Sequence, residues 1–235
     1  MSTSLNSIAF NNPSSRLCLR AACRWLMVAA LLLGVSAQAA NTTNVFVGAT
    51  NGSLIVAGNW SSGALPTAAS DAVFDGTVGP GIRTLTNDLT MGSLNVTTNA
   101  GTYSIRNDTT AFTTNALTLG GGTGNSVLGA TNNDLIYVTN GAALNFIATN
   151  SAATNLASRL LITLAQNGNF NIGTNASSTI GADINGAGFS VNKTGVGGLT
   201  LSGNFSGSGG VTDLSSVHTT STCTLARAWM PWLRM

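Results

Sequence analysis

The sequence predicts an all-β chain wound as a right-handed parallel β-helix with an N-terminal cap, and three observations carry that prediction. Charged residues make up 7% of the chain, against roughly 25% in an average soluble domain, and there is no glutamate and a single lysine. Polar surface must then come from Asn, Thr and Ser, which suit strands and turns better than helices. Short apolar–polar alternations recur between glycine clusters, as at Gly198-Leu199-Thr200-Leu201. Runs at Gly92–Val96, Asn115–Leu119, Gly141–Phe146, Gly168–Ile172 and Gly198–Leu201 start 23, 26, 27 and 30 residues apart, within the range of a solenoid. A β-sandwich is the competing all-β architecture, since its turns also recur every 8–12 residues.

Residues 1–40 read as a secretory signal peptide. Arg16, Arg20 and Arg24 precede the apolar run Trp25–Val35, and Ala37-Gln38-Ala39 supplies small residues for cleavage after Ala39 or Ala40. The run is too short to span a bilayer, which takes about 20 residues. The product is therefore expected to be secreted or held at the cell surface, with no transmembrane segment after the signal is removed. Without the three signal arginines, six basic residues face seven aspartates, a net charge of −1. That balance excludes a basic nucleic-acid footprint. Cys18 and Cys23 fall in the signal, leaving Cys223 alone, so no internal disulfide is expected.

Residues 41–90 are expected to form the cap and first coils. Trp60, the Leu65-Pro66 turn and Ala72-Val73-Phe74 between Asp71 and Asp75 provide the bulky, atypical unit that the exposed end of a repeat array needs. Residues 91–212 are expected to hold the repeats. Leu156–Gln166 reads as a strand because of Ile162, Thr163 and the Asn167-Gly168 turn, with a short helix as the alternative. Residues 213–235 change style, bringing His218, Cys223, Trp229, Pro231 and Trp232 together. A terminal cap is one explanation of that tail, and read-through in a shifted frame after Val211 or Thr212 is the other.

Lys193 to Asn204, KTGVGGLTLSGN, resembles the autotransporter-associated β-strand repeat of large secreted or surface proteins of bacteria. That repeat typically reads K-x-G-x-G-T-L-T-L-S-G-x-N-T-Y-S-G-G-T. Gly198 stands where Thr is usual, and Asn204-Phe205-Ser206-Gly207 is similar to a shortened N-T-Y-S-G. Ile184–Phe189 is similar to the lead-in, and the Trp60 region with Asp71–Phe74 to the start of such passengers. The clear match covers about 30 residues. It implies a right-handed parallel β-helix passenger, and it transfers no catalytic residue because the family shares none.

No residue set reads as an active site. Asp71 and Asp75, on one face of a strand, would lie roughly 13 Å apart, too far for a retaining glycosidase pair. They are expected to hydrogen-bond turn backbone instead, and Asp88, Asp108, Asp134, Asp183 and Asp213 are scattered singly. His218 and Cys223 have no further ligand-type neighbour for a metal or a nucleophile pair. Gly121-Gly122-Thr123-Gly124-Asn125 superficially approaches a calcium loop, with Asn where Asp should supply charge. No catalytic, cofactor-binding or metal-binding residues are therefore predicted, and no cofactor. The expected function is that of an exported, non-enzymatic passenger, a stalk or adhesion module, with cell-surface glycans or other surface proteins as partners. A β-helical carbohydrate-active lyase or hydrolase, or a truncated product without independent function, are the alternatives.

Overall fold

Leu199 and Leu201 turn inward while Gly198 and Thr200 turn outward, and the same period-2 alternation shapes strand after strand. The computed structural model describes residues 41–99, 101–108, 113–148, 159–203, 205–206 and 223–225. The strands fall into three sheets. The first holds β1 (Thr42–Val45), β2 (Ser70–Phe74), β5 (Ser93–Val96), β8 (Asp134–Val138), β11 (Gly168–Ile172) and β14 (Val191–Thr194). The second holds β3 (Gly81–Leu85), β6 (Thr102–Asn107), β9 (Ala143–Ile147), β12 (Ser177–Ile180), β15 (Gly198–Leu201) and β17 (Cys223–Leu225). The third holds β4 (Leu89–Met91), β7 (Asn115–Leu119), β10 (Leu160–Leu164), β13 (Asp183–Asn185) and β16 (Phe205–Ser206). The chain visits the sheets in rotation, and the paired strands run parallel, so one coil stacks on the last in a right-handed parallel β-helix. Parallel pairing rules out the β-sandwich, whose sheets are antiparallel.

Register turns the alternation into columns of like side chains inside the coil. Ala72, Leu94, Ile136, Phe170 and Lys193 follow one another in the first sheet. Arg83, Ile105, Phe146, Ile180 and Leu201 do so in the second, and Leu89, Leu117, Ile162, Ile184 and Phe205 in the third. The apolar members form one continuous core, each buried aliphatic or aromatic side chain contributing about 1.5–3 kcal/mol over exposure.

The sequence-level period has the right size and the wrong phase. Its five runs belong to the first, third, second, first and second sheets in turn, so they do not mark successive turns of one coil. Starts within one sheet are 23 residues apart from Ser70 to Ser93 and from Gly168 to Val191, but 41 from Ser93 to Asp134. Much of the excess falls between β7 and β8, in residues 120–133. Leu160–Leu164 is a strand, and the helical alternative for that stretch falls away.

The N-terminal end is closed by its own residues. β1 pairs with β2, Ser53 bridges Thr84 of β3, and Phe46 pairs antiparallel with Trp60. Val45 N–H donates to Ser61 Oγ at 2.9 Å, which blocks part of the outer edge of β1 against pairing with another chain. Residues 1–40, 207–222 and 226–235 lie outside the described residues, and with them the expected signal peptide, His218 and most of the tail. Within that tail Cys223–Leu225 pairs in parallel with β15, Cys223 opposite Leu199.

The corner Gly195–Gly198 shows why glycine recurs. Gly195 has φ +72°, a Cβ on Gly197 would lie 2.2 Å from Gly173 O, and one on Gly203 would lie 1.9 Å from Ala182 O. A Cβ on Gly198 would meet nothing within 4 Å. Gly203→Ala is therefore expected to cost about 1–3 kcal/mol, since the backbone must shift. Gly198→Thr should be neutral or stabilising by up to about 1 kcal/mol, because Thr suits a strand. Urea-unfolding midpoints of the two variants check the contrast.

Candidate functional site

On the outer surface of the first sheet, the strand alternation sends Asp71, Ser93 and Asn95 away from the core, yet all three are buried. Residues 120–127 lie over them as a strap. Asp71 accepts four hydrogen bonds: from Asn41 Nδ2 (2.9 Å) and Ser93 Oγ (2.7 Å) on Oδ1, and from Ser126 N–H (2.9 Å) and Ser126 Oγ (3.0 Å) on Oδ2. A relay leads into it, with Asn125 Nδ2 donating to Asn95 Oδ1 (2.7 Å) and Asn95 Nδ2 to Ser93 Oγ (2.7 Å). Glycine lets the strap lie this close, because a Cβ on Gly122 would sit 2.2 Å from Ala68 O and 2.6 Å from Asn41 Oδ1. The stretch that resembles a calcium loop thus presents donors to amide oxygens, Thr123 N–H to Asn41 Oδ1 (3.1 Å) and Asn125 Nδ2 to Asn95 Oδ1, where a calcium ion would need oxygen acceptors.

The other aspartates are placed singly. Asp75 follows β2 and is exposed, its Oδ1 accepting Thr77 N–H (2.8 Å) in a turn, as its sequence context predicts. Asp71, by contrast, is held by side chains and the strap rather than by a turn of its own. Asp134 is buried and accepts from Thr131 N–H and Oγ1, Asn169 Nδ2 and Asn171 Nδ2 at 2.8–3.0 Å. Asp88 accepts Ala116 N–H (2.7 Å), while Asp108 and Asp183 pair with Arg106 (3.4 Å) and Arg159 (3.1 Å). Among the described residues no three His, Cys, Asp or Glu side chains gather as a metal site.

Beyond the strap, the outer faces are lined by uncharged polar columns. In the third sheet Thr90, Thr118, Thr163, Asn185 and Ser206 stand in register. In the second, Asn145, Thr179 and Thr200 do the same, following the buried Ser104. Neighbours in such a column are spaced by the strand separation, about 4.8 Å.

Sequence reasoning missed one cluster. Arg83 is fully buried at the N-terminal end of a core column, its guanidinium carbon 4.9 Å from the ring centroid of Phe46, 5.5 Å from Phe74 and 5.6 Å from Tyr103. Its Nη1 donates to Thr50 O and its Nη2 to Gly79 O (2.8 Å), while Nε has no partner among the described residues. Phe74 and Tyr103 stack at 5.4 Å, and Phe46 meets Trp60 edge-on at 5.3 Å. The signal was present in Gly81-Ile82-Arg83-Thr84-Leu85, where Arg83 shares parity with the buried Leu85. Burial lowers the Arg83 pKa, with Tyr103 opposing the shift. Burial raises the Tyr103 pKa, with Arg83 pulling it down and Asp75 pushing it up. This cluster ties the Phe46–Trp60 segment to the first coil through packing and cation–π contact.

No family model matches the chain, and neither a curated protein nor a solved structure matches it.

Two outcomes follow from these clusters. Asp71→Asn keeps the shape but turns an NH₂ toward donors, and is expected to cost about 2–3 kcal/mol in urea unfolding. Because the folded pKa of Tyr103 lies above its unfolded value near 10, its contribution to stability is complete below about pH 10 and is lost as pH rises through the folded value. Melting temperatures measured between about pH 8 and pH 11 should therefore fall more steeply in the parent chain than in Tyr103→Phe.

Proposed function

We propose that the chain is an exported, non-enzymatic β-helical passenger. In this reading it is a stalk whose outer face hydrogen-bonds cell-surface glycans or other surface proteins. The observation that carries this is the division of labour among its polar groups. Each of the six described aspartates is engaged in a structural hydrogen bond or ion pair, whereas the Thr, Asn and Ser columns of the second and third sheets face outward. Hydroxyls and amides in register, without net charge, match neutral polyhydroxylated chains better than phosphate or acidic polymers.

Two further points support the reading. The basic, apolar and small residues of Arg16–Ala40 are ordered as in an export signal. The glycines at 195, 197 and 203 of the repeat-like motif sit where a side chain has no room or φ is positive, and the one glycine with open space, Gly198, stands where the resembled repeat carries Thr. Among the described residues no helix is long and apolar enough to cross a membrane.

The test is binding of the exported full-length chain to a panel of insoluble and immobilised cell-surface polysaccharides. Binding is expected to weaken roughly tenfold in the double variant Thr118→Val, Thr163→Val, which keeps β-branching and shape but deletes two hydroxyls, each contributing about 0.5–1.5 kcal/mol. Absence of binding across the panel would leave the chain a spacer. Release of reducing or unsaturated sugars would overturn the non-enzymatic reading.

A further inference from the structure

Asparagine is thermolabile, and before glycine it is most exposed to loss because no side chain shields the next amide nitrogen. The glycine nitrogen loses its proton and attacks the asparagine Cγ, so that an N–Cγ bond forms and the Cγ–Nδ2 bond breaks. The side-chain nitrogen leaves as ammonia, and water then opens the cyclic imide to aspartate or isoaspartate. The chain carries this dipeptide four times, at Asn51-Gly52, Asn140-Gly141, Asn167-Gly168 and Asn185-Gly186.

The reaction needs a free glycine N–H and a carboxamide able to swing onto it. Both groups are tied at all four places. Thr174 N–H donates to Asn140 Oδ1 (2.9 Å) while Gly141 N–H donates to Thr174 O (3.0 Å). Ser190 N–H donates to Asn167 Oδ1 (2.8 Å) while Gly168 N–H donates to Ser190 O (3.1 Å). Each of these two dipeptides clasps both backbone groups of one residue in the next coil. At the other two, one bond crosses to a distant segment and one stays local. Asn51 Oδ1 accepts Ile82 N–H (3.1 Å) and Gly52 N–H donates to Ala49 O (2.8 Å). Gly186 N–H donates to Ser206 O (2.7 Å) and Asn185 Oδ1 accepts Ala187 N–H (3.0 Å).

The glycines themselves are imposed by geometry. A Cβ on Gly168 would lie 2.4 Å from Leu135 Cγ, and Gly141 has φ +80°. The labile dipeptide is thus a by-product of the tight corner.

We infer that the four Asn-Gly corners are deamidation sites that the coil holds shut. The clasps at Asn140 and Asn167 release last, and Asn51 and Asn185 first. Modification then records local opening, because isoaspartate adds a methylene to the main chain and the clasp no longer closes. This inference is independent of what the outer faces bind.

The experiment incubates the full chain in mildly alkaline buffer, folded and in concentrated urea, and follows aspartate and isoaspartate at each site by peptide mapping. In urea all four sites should react at similar rates. In the folded chain Asn140 and Asn167 should be slowed about tenfold or more, since opening must precede reaction, with Asn51 and Asn185 reacting ahead of them. Reaction of Asn140 or Asn167 at the unfolded rate, or ahead of Asn51 and Asn185, overturns the inference. Hydrogen exchange supplies a second measure: slow Gly141 and Gly168 amides support the clasps, and fast exchange at either while neighbouring strand amides stay protected overturns them.

Discussion

The structure depends on parallel pairing in register. A coil of three short strands has no interior of its own, and its inward side chains become buried only when the next coil repeats the same parity above them. Phe146 is covered because Ile105 and Ile180 occupy the same column on either side, and Ile162 because Leu117 and Ile184 do. A slip of one residue would turn an entire column outward, so register is held strictly along the strands. At corners the constraint relaxes, which is why residues 120–133 can lengthen a coil without disturbing the columns on either side.

The polar composition follows from the same stacking. Corners and strand ends leave backbone N–H groups with no strand partner, and short side chains of the neighbouring coil accept them: Asn51 for Ile82 near the start of β3, Asp88 for Ala116 near the start of β7, Asn140 for Thr174 and Asn167 for Ser190. Asparagine does this as well as aspartate and adds no charge, so coils can be stacked closely without accumulating repulsion between like residues. Where a buried carboxylate is used, at Asp71 and Asp134, four donors surround it. The two buried cations sit toward opposite ends of the described core: Arg83 in the first coil under a lid of aromatic rings, and Lys193 in the last strand of its sheet, donating to Gly195 O. At the ends of the described columns, where no described strand follows on one side, a long side chain with a polar tip can fill the space while its head finds carbonyl oxygens.

This leaves the outer faces of the second and third sheets as polar surface that the strap does not cover, although Asn185 accepts from Ala187 N–H and Ser206 Oγ donates to Ile184 O. The first sheet spends much of its outer face on the strap, and its aspartates on holding that strap and its corners. A surface of hydroxyls and amides repeated at the strand spacing offers many weak, similar hydrogen bonds rather than one deep site. Such a surface favours extended partners, whose binding adds over length. The proposed role as an exported spacer with an adhesive face rests on that distribution.

Composition and alternation alone determined that the chain is all-β, that Leu199, Leu201, Phe170 and Ile172 face inward, and that glycine-rich segments are tight corners. These are local properties: strand parity is decided between adjacent residues, and the room for a Cβ at a corner is limited within a few. Which strand lies beside which is not local. Asn115–Leu119 pairs with Leu160–Leu164, and Ser93–Val96 with Asp134–Val138, across insertions that obscure the period, so the evenly spaced runs in the sequence come from different sheets. Asp71 read as a turn residue because its partners Asn41, Ser93 and Ser126 are 30, 22 and 55 residues away. Arg83 went unnoticed because the rings that bury it arrive from three separate strands and loops. Only the tertiary structure decided these, since a buried charge or carboxylate is tolerated according to what packs around it, and in a solenoid that surrounding comes from neighbouring coils rather than from neighbouring residues.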